Sequence, residues 1–384
     1  MWGIWRRAIS NFPYRWLRDS CQCPSCVHPS TRQKLHASSD IPRHVQPAAP
    51  VKLSNNALHV RWTGHKMDSV YDRAFLKAYA TPVGTREMHG DEHLTAQGWT
   101  AAQLEAKPAR FVAYEDLRND PERRLVAFEH LAQTGLLLVT GVFHAETSNE
   151  TCELRQLANV FGEIRHTFYG QTWNVVAKKG STNIAYTSLF LGLHMDLEYF
   201  AHPPRLQLLH CLRNQVVGGT SLFVDALAAA EKLRSLHPEA FSLLASYPIP
   251  FHYQNDGHHL HYAHPTIELD PTSGAIRQLN YSPPFQAPLP ADTPDAVFDA
   301  LELFANTLEE DGRMFKYLLR EGDAAVFDNR RVLHARDSFH DPMEDGTDDG
   351  EPMRWLKGCY VEADPLLDRA RVLRKEILSN VASS

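Results

Sequence analysis

The sequence predicts a mainly β fold with flanking helices: a distorted double-stranded β-helix of the jelly-roll kind, preceded by a small domain organised around cysteines. Three observations carry this. Short apolar runs such as Leu136 to Thr140, Leu206 to Leu209 and Ser221 to Asp225 have the length and residue content of buried strands. Turns built on Gly and Pro, including Gly218-Gly219-Thr220 and the one opened by Gly322, separate them, and few stretches carry a helical period. Three of the six cysteines crowd into Cys21-Gln22-Cys23-Pro24-Ser25-Cys26.

Composition bounds the rest. A chain of 384 residues, 43% hydrophobic and 22% charged, has room for one large domain and a small one. No apolar run is long enough to cross a bilayer, so no membrane partner is expected. The net charge of -7 argues against a nucleic-acid partner. A cytoplasmic location is expected, with a mitochondrial one left open. No repeat of solenoid period is present.

Taken in order, Met1 to Arg7 is basic and aromatic but too short for a presequence, so a shortened start and a targeting signal are both compatible with it. Three thiolates in one tight loop, with no secretory signal, favour a closed zinc site over disulfides, and such a site needs a fourth ligand. A redox-active or incidental cysteine cluster is the alternative. Cys152, Cys211 and Cys359 stand singly in apolar settings and read as packed thiols. Residues 1–85 form the cysteine-bearing domain, 86–110 a polar linker, and 111–384 the main domain. Within the last, Thr147-x-x-Glu150 reads as a capping box opening a helix with Leu154, Leu157, Val160 and Phe161 on one face. Asp341 to Glu351 reads as a solvated loop. Pro365 to Leu378 has helical spacing and is expected to pack on the barrel or on a second copy, as in a homodimer.

The chemistry lies in two distant segments. His-x-Asp/Glu occurs four times, at His89/Asp91, His144/Glu146, His194/Asp196 and His237/Glu239. Context favours His194/Asp196, which precedes the apolar run at Leu206 and so lies at the mouth of a sheet. His334 likewise follows a turn-then-strand pattern, Gly322 to Phe327, and Arg354 trails it at the start of another strand. Two imidazoles and one carboxylate hold non-haem Fe(II) on one face and leave the other open, and a guanidinium grips a carboxylate with two parallel hydrogen bonds.

At these residues the chain resembles the Fe(II)- and 2-oxoglutarate-dependent dioxygenases, and within them the gamma-butyrobetaine and trimethyllysine dioxygenase branch of carnitine synthesis. The resemblance runs from about Trp16 to the C-terminus. It implies that His194, Asp196 and His334 ligate iron, that Arg354 with Ser221 holds the cosubstrate 2-oxoglutarate, and that His65 joins Cys21, Cys23 and Cys26 around a structural zinc. Met195 departs from the Thr common in that family. The resemblance places a leading strand before Trp16, and a shortened start is therefore expected.

The resemblance also implies a substrate. Tyr169, Trp173, Tyr186 and Tyr360 match the positions that cage a trimethylammonium group, and Asn183 matches the asparagine that meets the carboxylate of gamma-butyrobetaine. Against that, Asn280-Tyr281-Ser282-Pro283-Pro284 stands where the family is richer in asparagine. A quaternary ammonium cannot donate hydrogen bonds and is bound by aromatic faces, although ordinary core packing would account for any one of these rings. The implied reaction is hydroxylation of gamma-butyrobetaine to L-carnitine, using molecular oxygen, with ascorbate as a reductant. Trimethyllysine or another small molecule is the alternative substrate, and a catalytically silent zinc-stabilised binding protein the non-enzyme reading.

Overall fold

The computed structural model describes residues 11–54, 56–176, 186–340 and 352–383. The chain divides into two compact units, Met1–Glu92 and His93–Ser384.

In the first unit the helix Tyr14–Asp19 ends just before Cys21, and Lys52–Leu53, Ala57–Val60 and Ser69–Asp72 form an antiparallel sheet. Val60 and Tyr71 point inward and meet Leu17 and Trp62 in one small buried cluster. A core of that size is marginal on its own. The helices Arg73–Tyr79 and Pro82–His89 begin at Asp72 and Thr81, whose side chains accept from Phe75 N–H and Gly84 N–H.

Of the segment read as a linker, 86–110, the first part continues the helix Pro82–His89 and the remainder is structured within the second unit. Trp99 is 1% exposed and donates its indole N–H to Thr134 O at 2.7 Å. Its backbone N–H donates to Asp225 Oδ2 at 2.9 Å, and the helix Ala101–Glu105 follows.

Two sheets build the second unit. The larger runs, in spatial order, Phe111–Ala113, Leu136–Thr140, Ala324–Asp328, Leu206–Asn214, Arg354–Val361 and Trp173–Val176. Its first pair is parallel and the others antiparallel. The smaller runs Phe315–Tyr317, Ser221–Asp225, Val332–Arg336 and Leu191–His194, all antiparallel. Strand alternation gives each sheet a cavity face and a helix face. Gln207, Leu209, Leu356 and Tyr360 of the larger sheet and Ser221, Phe223 and His334 of the smaller line one cavity. On the outer face of the larger sheet, Leu137, Leu208, Val326 and Cys359 pack with Phe128, Leu157 and Phe161. Outside the smaller sheet, Leu222, Val224 and Leu333 pack with Ala229, Leu233 and Phe304. This is the mainly β, helix-flanked architecture expected.

The helices differ in detail. The capping box expected at Thr147 and Glu150 does not open a helix; the helix is Glu153–Phe161, with Cys152 before it and no side-chain cap. Local bonds take the candidate residues into a turn instead: Ser148 N–H donates to Glu146 Oε1 at 2.9 Å and Thr151 N–H to Ser148 Oγ at 3.0 Å. The expected face holds, with Leu154, Leu157 and Phe161 buried and Val160 partly so. Pro121–Thr134, Ala226–Leu236 and Asp295–Leu308 are further helices, the first two begun by Asp120 and Asp225 as N-caps. The C-terminal helix Ala363–Ser383 buries Leu366 and Ala370 in the core of its own unit, and Arg374 pairs with Glu129 at 2.6 Å. Asp341 to Glu351 lies outside the described residues.

Candidate active site and metal centres

Sheet register brings the two histidines together. His334 and His194 are direct antiparallel partners, and their ring centroids are 4.1 Å apart. Asp196 lies just past the strand, where Leu197 takes a left-handed φ of 64° and the chain turns away. The Asp196 backbone is fixed from 133 residues downstream: its N–H donates to Asn329 Oδ1 at 2.8 Å, and Asn329 Nδ2 donates to Asp196 O at 2.9 Å. Met195, the departure noted above, is fully buried among the apolar residues behind the smaller sheet.

The donor atoms fit a metal. One ligand atom from each of His194, Asp196 and His334 lies within 4.8 Å of the others. His194 Nδ1 is bonded to Gly192 O at 2.8 Å, which makes Nδ1 the donor and leaves the Nε2 lone pair free, 3.5 Å from Asp196 Oδ1. Burial and the charge of His194 push His334 down to about 3, so its imidazole is neutral at physiological pH. Burial would raise Asp196, but the His194 and His334 rings beside it and the Tyr360 hydroxyl that donates to it hold it well below the usual carboxylate range. Three donors on one side of a cavity leave the opposite side for other ligands. Neither His89/Asp91, His144/Glu146 nor His237/Glu239 belongs to a cluster of three metal-ligating groups among the described residues.

Arg354 and Ser221 line the same cavity, 5% and 7% exposed. Arg354 Nε has no hydrogen-bond partner among the described residues, and its guanidinium lies 5.3 Å from the Phe339 ring. Burial lowers Arg354 to about 10 and Arg336 beside it likewise. Two buried guanidiniums at one cavity wall fit an anionic carboxylate. Arg336 was not foreseen; strand alternation from His334 would have put it on the same face.

The aromatic residues also converge. Trp173 packs 4.4 Å from Tyr360 and 5.9 Å from Tyr169, and with Tyr186 all line the cavity shared with the histidines. Tyr199 and Phe285 extend this wall, and the antiparallel hairpin of Pro248–Asn255 and His258–Pro265 backs it, Tyr253 stacking on Tyr199 at 5.2 Å. Asn183 lies outside the described residues. Gly358 escaped notice in the sequence: a Cβ there would stand 2.6 Å from two Trp173 ring atoms, so the indole lies flat on bare backbone. Gln207 and Asn329 also escaped notice, because their partners are distant in sequence.

In the first unit, Cys21, Cys23, Cys26 and His65 form the other group with metal-holding geometry. The His65 Nε2 to Sγ distances are 3.9, 3.3 and 3.6 Å for Cys21, Cys23 and Cys26. A tetrahedral zinc with bonds near 2.3 Å to sulfur and 2.0 Å to nitrogen requires an S–N edge of about 3.5 Å. Turn bonds from Cys26 N–H and Val27 N–H to Cys23 O fold the loop. Arg18 Nη1 donates to Cys26 Sγ at 3.3 Å and Ser69 Oγ to Cys21 Sγ at 2.8 Å, offsetting thiolate charge. Against burial, hydrogen bonds from Ser25 and His65 bring Cys23 down to about 6, while burial and the Cys21 charge push Cys26 up to about 12. Cys152, Cys211 and Cys359 are buried free thiols, as expected.

Residues 94–360 match the family model described as taurine catabolism dioxygenase TauD, TfdA family, and residues 5–77 the gamma-butyrobetaine hydroxylase-like N-terminal model. "Dioxygenase str8" of Strobilurus tenacellus is 50% identical over 365 residues, covering 94% of this chain and 85% of that protein. A gamma-butyrobetaine dioxygenase of Pseudomonas sp. (strain AK-1) is 33% identical over 96% of this chain and 91% of its own. A mitochondrial trimethyllysine dioxygenase of Bos taurus is 27% identical over 95% and 83%. No helix among the described residues is long and apolar enough to cross a membrane. The chain belongs to the TauD/TfdA family and is an iron- and 2-oxoglutarate-dependent dioxygenase.

Proposed function

We propose that this enzyme hydroxylates a trimethylammonium-bearing acid, with gamma-butyrobetaine, giving L-carnitine, as the first candidate. The observation that carries the reading is the wall of Tyr169, Trp173, Tyr186 and Tyr360 in the same cavity as His194, Asp196 and His334. Aromatic faces contribute about 0.5–2 kcal/mol each to a cation that cannot donate hydrogen bonds. The relatives named gamma-butyrobetaine dioxygenase support it at 33% and 28% identity.

In this reading His194, Asp196 and His334 hold iron, and Arg354, with Ser221, grips the distal carboxylate of 2-oxoglutarate. Iron with 2-oxoglutarate and oxygen supplies the oxidising power for C–H hydroxylation. The residues do the rest. The neutral imidazole of His334 keeps a lone pair available, the apolar walls Leu191, Leu197 and Leu209 exclude water, and the rings fix which carbon faces the metal side. Asn183 is assigned the substrate carboxylate from its place in the sequence. Cys21, Cys23, Cys26 and His65 hold a structural zinc.

A second reading, a different small-molecule substrate, is favoured by the 50% identity to a dioxygenase whose name states no substrate. The same rings would stack a flat apolar molecule. Succinate release by the iron-loaded protein, measured against gamma-butyrobetaine, trimethyllysine and a neutral tert-butyl isostere of the former, separates them. Gamma-butyrobetaine should stimulate release well above the isostere. Equal stimulation by cation and isostere, or by neither, would sink the first reading.

A further inference from the structure

Tyr360 belongs to two constellations at once. Its ring is a wall of the cavity, 4.4 Å from Trp173, while its hydroxyl donates to Asp196 Oδ2 at 2.8 Å. Gln207, its direct partner across the strand pair, donates Nε2 to the same oxygen at 2.8 Å. Two donors saturate Oδ2 and lock the carboxylate plane, leaving Oδ1 beside His194 Nε2. A carboxylate held this way presents one oxygen to a metal and cannot swing to present both.

We propose that Tyr360 is a positioning residue that joins the substrate wall to the metal centre: its hydroxyl, with Gln207, enforces single-oxygen presentation by Asp196, while its ring receives the substrate cation. The ring half rests on the trimethylammonium reading above; the hydroxyl half does not. A phenol that donates to a carboxylate is also richer in ring electron density, so the anion behind Tyr360 strengthens the face offered to a cation.

The two roles separate by mutation. Tyr360→Phe keeps the ring and removes the donor; Mn(II) binding to the protein, followed by the loss of the free-ion paramagnetic signal, should weaken by about tenfold or more. The KM for gamma-butyrobetaine should rise less than about threefold, with more 2-oxoglutarate consumed per product formed. Tyr360→Leu should show the same metal loss together with a KM rise of about tenfold, and Gln207→Leu the metal loss alone. Mn(II) binding by Tyr360→Phe within twofold of the parent, in protein of unchanged melting temperature and zinc content, overturns the proposal. Because the metal titration needs no substrate, it stands if no quaternary ammonium is turned over; that outcome would remove only the cage.

Discussion

The two metal-holding clusters are built on opposite plans. Cys21, Cys23 and Cys26 come from one six-residue loop, and with His65 they offer four donors, so protein alone would fill every position around a tetrahedral ion. His194 and His334 come from two strands paired in the smaller sheet, Asp196 from the turn just past one of them, and all three occupy one side of a cavity. The first cluster sits in a unit whose apolar core is small; the second is held by residues that a thick two-sheet core has already fixed. A closed set serves folding, whereas an open set needs a rigid frame because its ligands must keep their places while other molecules come and go.

Three outcomes would sharpen or break that contrast. The largest concerns the open centre: Asp196→Ala should lower 2-oxoglutarate turnover about a thousandfold or more while leaving zinc content and melting temperature near parental values. Retained activity would mean that another group ligates iron. Next comes the closed centre. Cys23→Ser should remove about one zinc per chain and abolish protection from proteolysis within residues 11–92, since structural zinc supplies roughly 10–16 kcal/mol of apparent binding energy to such sites. A zinc-free variant with that unit still protected would show the cluster to be incidental. The smallest effect tests the frame around the open site: Gly358→Ala crowds Trp173, and overpacking of about 1–3 kcal/mol should raise the substrate KM roughly 5- to 150-fold with the 2-oxoglutarate KM unmoved. An unchanged substrate KM would remove Trp173 from the substrate wall.

Much of both clusters was legible before folding. The cysteine spacing is a local signal, because three thiols within six residues cannot avoid one another. His194-Met195-Asp196 was legible only through its surroundings, since three other His-x-acid pairs compete with it. Gln207 and Gly358 were hidden, the one inside an apolar strand pattern and the other between Lys357 and Cys359 with no turn to explain it. The helix at Glu153 began later than the Thr147/Glu150 pattern implied, because short-range side-chain bonds from Glu146 and Ser148 hold a turn there instead.

By itself the sequence determined the mainly β architecture and the crowding of three thiols into one loop, because periodicity and residue chemistry are local properties; the remaining ligand candidates and the rings of the wall came from the resemblance to known dioxygenases. Only the tertiary structure decided that Asn329 grips the backbone of Asp196, that Gln207 and Tyr360 share one of its oxygens, and that Arg336 stands beside Arg354. Those relations depend on strand register, and register is set by the packing of whole sheets rather than by any single segment.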